Sequence, residues 1–356
     1  MKSSETPLYP EHSEGNQEHL ISREASEETS EKLAQVLNAE SYQEDEIKRI
    51  YGLEDNFVSP WDKQLAKEQN KPENLIALSE YFLKHPEYDE NLTLKHITKL
   101  PRGFHFPKNL KGKLSLPNLV TLSEDIPIPT WITELYLPEL KKYPNNNIFP
   151  ENLEKLTIGI EELLDNSPLP SKLKKLKIDQ LKSRPENMAL PEWLEFLSCF
   201  NIPSRPKKIP FPETIKFFYS NLSEIEGGFV FPKEMHALEL PNLRSLQNIT
   251  LPEEITGTCF LDNIEIFTEN TRIPKGGDFR FAGLKKIEKN VVFLGEIDHL
   301  WVQNLESYEW EISELPFISQ IFLPKQNFSY WYPKNSTISS LANYLENKGT
   351  KITWWK

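Results

Sequence analysis

The sequence predicts an α/β repeat solenoid in which one short parallel strand per repeat stacks on the strand of the next repeat. Three observations predict this fold class. Proline follows an apolar residue at regular intervals of about 21 residues, leucine recurs at fixed places after each proline, and an apolar helical pattern lies at each end of the repeats. Because no single repeat can bury its own leucines, repeats of near-equal length are stable when neighbours stack.

The first observation is the spacing of the prolines. Proline lacks a backbone donor and has a fixed φ, so it marks corners of the chain rather than strand interiors. The corner prolines are Pro107, Pro129, Pro150, Pro170, Pro191, Pro212, Pro232, Pro252 and Pro274, and their residue numbers differ by 22, 21, 20, 21, 21, 20, 20 and 22. Pro86 and Pro316 extend the register, with Leu294 in place of one proline. We therefore expect about twelve repeats.

Within a repeat, the pattern is Pro-x-x-Leu-x-x-Leu-x-Leu-x-x-Leu, as in PENLEKLTIG from Pro150 and PKEMHALELPNL from Pro232. The central Leu-x-Leu has the period of a half-buried strand. The flanking three-residue spacings suit tight turns or short 3₁₀ segments. Each repeat is thus predicted to contribute one strand to a parallel sheet with a spacing of about 4.8 Å.

Before the first repeat, the segment KPENLIALSEYFLKHP predicts an amphipathic helix. Leu75, Leu78 and Phe82 fall on one helical face, and Pro72 stands in the first turn, where its missing N–H costs nothing. A solenoid needs such a cap because its terminal repeat otherwise exposes the core to water.

After the last repeat, STISSLANYLENKGTKITWWK predicts a small closing unit. Ile338, Leu341 and Leu345 have helical spacing, Gly349 is suited to end the helix, and a short strand follows up to Trp355. We therefore divide the chain into an acidic, largely disordered tail, a helical N-terminal cap, the solenoid and a C-terminal cap, at residues 1–45, 46–85, 86–330 and 331–356. Within the tail, SEKLAQVLNAE could form a short helix.

Charge and composition exclude several classes of function. The net charge of the 356 residues is −12, and residues 1–50 hold 12 acidic against 5 basic residues, so the other 306 carry −5. Nucleic acid is not an expected partner, since phosphate binding needs a concentrated basic face. Membrane insertion is not expected either, since no apolar run reaches about 18 residues. The start of the sequence lacks a signal-peptide pattern, and a cytoplasmic protein is therefore expected.

Residues suited to chemistry are sparse. The seven histidines form no metal-ligand pattern with supporting carboxylates, so no metal, cofactor or catalytic residue is predicted. Cys199 and Cys259 occupy apolar positions of the strand pattern, three repeats apart. At about 15 Å they are too distant for a disulfide, and we expect both to be small core residues.

The outward residue between the two strand leucines is the more informative position. Down the repeats it is Thr93, Ser115, Tyr136, Thr157, Lys177, Ser198, Tyr219, Glu239, Phe260, Arg280, Trp301 and Phe322. Aromatic residues and arginine prevail in the second half, and such residues are enriched at binding hot spots. The predicted partner-binding residues are Tyr136, Lys177, Tyr219, Glu239, Phe260, Arg280 and Trp301. The alternative is that the aromatic residues only pack on their neighbours.

Over residues 86–325, the chain resembles the leucine-rich repeat proteins. The Leu-Pro corner and the length of the repeat look like the short bacterial class, which reads LPxxLxxLxVxxNxLxxLP, while LYLPEL and LELPNL resemble the BspA-like class. One feature departs from the family pattern. The asparagine that the family uses to bond along the corner is replaced by Leu140, Glu161, Leu181, Ile202, Leu243 and Leu305.

The resemblance implies a non-enzymatic scaffold that binds a protein partner through the concave sheet of a leucine-rich-repeat-like solenoid. It also implies a bacterial effector that is secreted into a host cell without a cleaved signal peptide. We expect the protein to be a monomer. The alternative is an enzyme on a parallel β-helix that acts on polysaccharide. That enzyme needs three strands per repeat and an exposed Asp, Lys and Arg constellation, whereas the sequence shows one clear alternating strand per repeat.

Overall fold

The computed structural model describes residues 44–53, 63–89, 91–144, 149–163, 168–182, 189–199, 211–225, 228–309, 315–324 and 337–355. The predictions of a disordered tail and of a helix in SEKLAQVLNAE fall on residues outside this set. The chain divides into two compact units, Met1–Leu65 and Ala66–Lys356. In the first unit, helix α1 spans residues 44–51, and the Arg49 side chain donates to the Glu46 carboxylate one turn earlier at 2.8 Å.

Two helices precede the repeats, α2 (Lys63–Gln69) and α3 (Pro72–Lys84). The predicted amphipathic helix is confirmed in α3, which has Pro72 in its first turn and buries Leu75, Leu78 and Phe82. The helix packs on the first repeats, because Phe82 meets the ring of Phe104 edge-on at 6.5 Å between centroids. In addition, the N–H of His105 donates to the Ser79 hydroxyl at 2.8 Å.

The described residues of the second unit form a sheet of 13 strands, all pairing in parallel. In spatial order they are β1 (Leu92–Thr93), β2 (Lys113–Ser115), β3 (Glu134–Leu137), β4 (Lys155–Ile158), β5 (Lys175–Lys177), β6 (Phe196–Ser198), β7 (Phe217–Tyr219), β9 (Glu234–Glu239), β11 (Glu254–Phe260), β14 (Lys275–Arg280), β17 (Ile297–Trp301), β19 (Ile318–Pro324) and β20 (Lys351–Trp355). Spatial order therefore follows chain order, as stacked repeats require. The predicted parallel solenoid is confirmed.

Strand register reproduces the leucine spacing. Leu114, Leu135, Leu156 and Leu176 are successive Cα partners along β2 to β5, and all four are buried. Twelve of the strands occupy the predicted repeat positions, and β20 closes the sheet beside β19. One continuous apolar core thus lies behind the sheet.

Backbone bonds replace the missing asparagine column. Leu140, Leu181, Leu243 and Leu305 are buried in the core at these corner positions. Along the same corner, N–H groups donate to the carbonyl one repeat earlier at 2.8 to 3.3 Å, in the series from Thr98 through Val120, Lys141 and Glu161 to Lys182. At two of the described corners, the side-chain amide of the preceding residue also contributes, since Asn118 and Asn304 donate to the Lys95 and Ala282 carbonyls at 2.6 and 2.7 Å. The family's asparagine position itself is therefore available to leucine.

Additional short strands appear in the second half of the coil. Two-stranded pairs join β8 (Phe229–Val230) to β10 (Ile249–Thr250) and β13 (Arg272–Ile273) to β16 (Val292–Phe293), and a further sheet joins β12 (Ile266–Phe267), β15 (Lys286–Ile287) and β18 (Ser307–Tyr308). These repeats carry more than the one strand that the sequence predicted. The difference arises because two-residue strands on the return path are too short to show an alternating pattern.

The C-terminal cap has the predicted order of helix, glycine and strand. Helix α4 (Thr337–Asn347) buries Ile338, Leu341 and Leu345, and Gly349 follows with a φ of +89°. A positive φ at this place is the usual end of a helix, and it directs the chain into β20. The predicted closing helix and strand are confirmed.

Candidate functional site

The predicted outward residues form one continuous column on the sheet, which we call the strand-face column. Each member is the Cα partner of the next in the register of β1 to β19, and the members are Thr93, Ser115, Tyr136, Thr157, Lys177, Ser198, Tyr219, Glu239, Phe260, Arg280, Trp301 and Phe322. Neighbours in the column are thus one strand spacing apart, about 4.8 Å. The column is a surface of aligned side chains rather than a closed pocket.

Accessibility varies along the column. Tyr136 is 37% exposed, whereas Ser115 and Ser198 are only 4% and 2% exposed. The seven predicted residues also do not converge at one point. Eight strand spacings separate Tyr136 from Trp301, about 38 Å, while four spacings, about 19 Å, separate Tyr219 from Trp301. A single docking site of ordinary size therefore fits the second half of the column best.

In the first half of the column, the outward side chains are largely engaged with one another. The ammonium of Lys113 lies 5.3 Å from the ring centroid of Tyr136. Lys177 forms an ion pair with Asp179 at 3.2 Å, and the other oxygen of Asp179 accepts a hydrogen bond from Ser198 at 2.5 Å. These contacts within and between neighbouring repeats leave fewer polar groups available to a partner.

An aromatic cluster occupies the middle of the sheet. The ring of Phe196 lies 6.0 Å from Phe217 and 5.4 Å from Tyr219, and Phe217 lies 5.0 Å from the ring of His236. Burial, followed by the negative charge of Glu239, raises the pKa of the Tyr219 hydroxyl above its ordinary value, so this side chain stays neutral. The cluster is an aromatic surface with one cation on it, since the ammonium of Lys175 lies 4.4 Å from the ring centroid of Phe196.

Sequence reasoning missed Phe196 and Phe217. Both lie two residues before the strand-face column, and their outward orientation follows from the period of two in a strand. The signal was present in EFLS and FFYS, where an aromatic residue precedes the buried strand leucine or phenylalanine. The outward surface of each strand is two residues wide, and only one of the two positions was considered.

Arg280 is the most constrained charged residue of the column. Its guanidinium lies 4.2 Å from the ring of Phe260 and donates through Nε to both carboxylate oxygens of Asp262, at 2.8 and 3.0 Å, with a further short bond from Nη2. These hydrogen bonds raise the pKa of Arg280 above its ordinary value. Stacking and the two-oxygen contact hold the side chain in one orientation, which lowers the entropy that it loses on binding.

The last part of the column carries a flat aromatic pair. The rings of Trp301 and Phe322 stack with centroids 4.6 Å apart and planes inclined by 7°. Beside this pair, the Nδ1 atom of His299 lies 2.6 Å from an oxygen of Asp278, and the Gln320 amide donates to the Thr353 hydroxyl at 2.8 Å. An apolar platform bordered by polar groups is the composition of a protein-binding hot spot with its rim.

The two cysteines lie in the core. Cys199 and Cys259 are both buried, as the sequence predicted, and they are not joined in a disulfide. Burial raises the pKa of the Cys259 thiol far above its ordinary value, with a smaller contribution from Glu239. A thiol held neutral in the core is a poor nucleophile. Among the described residues, no group of three or more potential metal ligands occurs, and no helix is long and apolar enough to cross a bilayer.

Comparisons with known proteins give two structural likenesses. No family model and no curated protein matches the chain. One solved structure, CroV588, a circular leucine-rich repeat protein, has 14% identity and a TM-score of 0.31 over 65% of this chain. The chain spans 46% of the length of CroV588. A leucine-rich repeat protein from Bacteroides ovatus has 12% identity and a TM-score of 0.26, over 73% of this chain and 88% of that protein.

Proposed function

We propose that this chain is a non-enzymatic scaffold that binds a protein partner on the outward face of the 13-stranded sheet. The observation that carries the proposal is the second half of the strand-face column, where Tyr219, Arg280 and Trp301 lie within about 19 Å on one run of neighbouring strands. That span fits the core of an interface of standard size. The predicted roles as a monomer and as a bacterial effector delivered to a host belong to the same proposal.

Rigid aromatic and arginine side chains support this function. The Trp301 ring is held by its stack on Phe322, and Arg280 is held by Phe260 and Asp262. Side chains that are fixed before binding lose little entropy in the complex, which favours affinity. Their positions also come from strands rather than loops, so a partner meets a surface with one defined geometry.

The test compares two tryptophans. Trp301→Ala removes the aromatic platform, while Trp193→Ala removes a tryptophan that is 65% exposed and lies outside the column. With the full chain as bait and quantitative mass spectrometry of the captured proteins, we expect one partner to be lost with Trp301→Ala and Tyr219→Ala and retained with Trp193→Ala. Loss of a hot-spot residue costs about 2 kcal/mol or more, roughly a thirtyfold weaker Kd.

Thermal unfolding of the same variants separates docking from packing. A docking role leaves the melting temperature of Trp301→Ala within about 4 °C of wild type, since loss of the stack on Phe322 costs about 1 kcal/mol. The proposal fails if Trp301→Ala and Trp193→Ala capture the same proteins, or if Trp301→Ala loses its partner only because it melts at a much lower temperature.

A second candidate is the parallel β-helix enzyme acting on polysaccharide. The additional strands β8, β10, β12, β13, β15, β16 and β18 favour it, because they give part of the coil more than one strand per repeat. Against it, the outward Asp262 and Arg280 are bonded to each other rather than directed at open space. Incubation with a panel of neutral and acidic polysaccharides should release no new reducing ends, and release that is lost in Asp262→Asn would support the enzyme.

A further inference from the structure

The repeat containing β10 and the next one, containing β13, are joined less completely than their neighbours. β10 pairs with β8, and β13 pairs with β16, but these are separate sheets. The backbone hydrogen bonds that join successive repeats along the corner show the same interruption. The Arg244 N–H donates to the Ser223 carbonyl at 3.1 Å, and the Lys285 N–H donates to the Glu265 carbonyl at 2.8 Å, yet no described bond joins Glu265 N–H to the Arg244 carbonyl. The main sheet is intact here through β9, β11 and β14.

The interruption follows from a change in corner length. In one repeat, two residues separate Leu246 from Ile249, whereas in the next, four residues separate Phe267 from Arg272. The repeat after that keeps the longer corner. The proline spacing reports the same change, since the interval from Pro252 to Pro274 is longer than that from Pro232 to Pro252. Two corners of unequal length cannot superpose, so their strands do not meet.

A groove of about 770 Å³ lies at this interruption, and we call it the corner groove. Its lining includes Ile249, Thr250 and Glu253 from one side and Glu269, Arg272 and Leu294 from the other. Its volume is within the range of binding sites for small ligands and short peptides. The corner groove is at the return path of the coil, whereas the strand-face column is on the main sheet.

Backbone groups of two strands border the groove. The Thr250 carbonyl accepts from Phe231 and the Ile273 carbonyl accepts from Leu294, so both are directed at neighbouring repeats away from the groove. Since successive residues of a strand direct their backbone groups to opposite sides, Ile249 presents its carbonyl, and Arg272 its N–H and carbonyl, on the groove side. Two strand edges that face each other across a gap are a template for an added strand.

The lining selects among ligand classes. No aromatic residue is among the described residues that line the groove, so a sugar ring has no platform to stack on. The charged residues that line the groove are Glu253, Glu269 and Arg272, so carboxylates outnumber guanidinium groups by two to one. Lys233 makes a long, exposed contact of 3.9 Å with Glu253, and the Asn290 amide donates to one oxygen of Glu269 at 2.8 Å, which leaves its other oxygen for a ligand. A backbone template with an excess of carboxylates is complementary to an extended peptide that carries a basic side chain.

We propose that the corner groove binds an extended peptide segment of about four residues with at least one lysine or arginine. The peptide backbone bonds to the edges of β10 and β13, and its basic side chain lies against Glu253 and Glu269. This site is separate from the proposed docking surface, and either can fail without the other.

The first experiment compares peptides on the full chain by isothermal titration at low salt. The probe is N-acetyl-Thr-Lys-Thr-Lys-Thr-amide, and its controls are the glutamate analogue, an analogue with alternate N-methylated amides, and maltopentaose. We expect the lysine peptide to bind and the N-methylated analogue not to bind, because methylation removes the backbone donors. The proposal is overturned if the lysine peptide shows no binding at millimolar concentration, if the glutamate analogue binds equally well, or if maltopentaose binds instead.

The second experiment removes the carboxylates. In Glu253→Gln/Glu269→Gln, the Kd for the lysine peptide should rise about fivefold, since a solvated ion pair contributes up to about 1 kcal/mol. The matched control is Glu139→Gln, an exposed glutamate on a different repeat, which should bind as wild type does. Equal Kd values for the double variant and the control would contradict the proposed site.

Hydrogen exchange locates the bound peptide. The Arg272 amide should exchange more slowly when the lysine peptide is present, while the Leu294 amide, already bonded to the Ile273 carbonyl at 2.9 Å, should not change. Trp301→Ala should bind the peptide normally, which distinguishes this site from the strand-face column. Strand addition at this edge would be excluded if the peptide did not change the exchange rate of the Arg272 amide. It would also be excluded if, without the peptide, the Arg272 amide already exchanged as slowly as the Leu294 amide.

Discussion

Gly159 lies where two successive repeats approach each other closely. Its N–H donates to the Leu137 carbonyl at 3.0 Å, and a Cβ atom at this position would overlap the carbonyl oxygen of Pro138. The colliding atom belongs to the backbone, so it cannot move aside as a flexible side chain would. Spacing between repeats at this point therefore depends on the absence of a side chain.

Gly159→Ala should lower the free energy of unfolding by about 3 kcal/mol, because the repeats must separate to admit the methyl group. Gly103→Ala is the matched control. Gly103 has a φ of +71° but nothing within 4 Å of the added Cβ, so only backbone strain of about 1 kcal/mol is expected. Chemical denaturation of both variants measures the difference, and equal losses would contradict the proposed collision.

Cys259 gives the protein a pH dependence at the alkaline end. Burial raises the pKa of this thiol in the folded protein, whereas in the unfolded chain it ionises near pH 8.5. Above that pH, the unfolded state binds fewer protons than the folded state, so stability is full below about pH 8.5 and falls as pH rises. The contribution of one such group is about 1.4 kcal/mol per pH unit.

Cys259→Ala should therefore lose stability less steeply than wild type between about pH 9 and pH 10.5, despite a constant cost for the cavity. Urea unfolding at three pH values measures the slope. Parallel pH curves for the two proteins would show that the thiol ionises equally in both states.

At the scale of the element, α3 shows how a short sequence pattern determines a contact. Leu78 is 0% exposed and Leu83 is 58% exposed in the same helix. The helical spacing of Leu75, Leu78 and Phe82 was visible in the sequence, and so the buried face could be predicted. Its partner, the ring of Phe104 in the first repeats, could not be read from local spacing because it lies beyond β1, outside the helix.

Leu78→Ala should lower the free energy of unfolding by about 2 to 5 kcal/mol, and Leu83→Ala by less than about 0.5 kcal/mol. The two variants remove the same side chain from the same helix, so helix propensity does not distinguish them. Calorimetry of both proteins tests whether α3 covers the core. A similar loss in both variants would contradict that packing.

The sequence predicted the register of the strands that form the candidate surface. It did not predict all of the outward residues on those strands. Leucine spacing placed Tyr219, Arg280 and Trp301 in one column, because the period of a strand and the length of a repeat together define each outward position. The partners that orient these residues were not predictable. Asp262 lies two residues beyond Phe260, on an outward position that no leucine marks.

At the scale of the whole molecule, the repeat is the unit of stability. Each strand of the main sheet pairs with strands of adjacent repeats, so the free energy is approximately a sum over repeats and the contacts between neighbours. The proline spacing predicted this organisation because corners at constant intervals require strands of constant register. The interruption at the corner groove was not predicted from the proline spacing. The interval from Pro252 to Pro274 is no longer than that from Pro107 to Pro129, where no such change of corner length occurs.

Deletion of one whole repeat tests this organisation. Removal of residues 130–150 joins Pro129 to Glu151 and keeps the proline register, so β2 can pair with β4, and we expect cooperative unfolding at a somewhat lower temperature. Removal of residues 130–139 alone breaks the register and should abolish cooperative unfolding. Circular dichroism during heating compares the two, and cooperative melting of the shorter deletion would contradict the repeat as the unit.

Ion pairs between neighbouring repeats share one direction in the first half of the coil. Glu134 pairs with Lys155, Glu154 with Lys174, and Glu161 with Lys182, each acid being on the earlier repeat and each lysine on the later one. A tandem duplication of the gene segment for one repeat would copy both the glutamate that faces the next repeat and the lysine that faces the previous one. The new repeat would therefore face residues of opposite charge on both of its neighbours. The solenoid could lengthen by duplication of whole repeats without further substitutions at these positions.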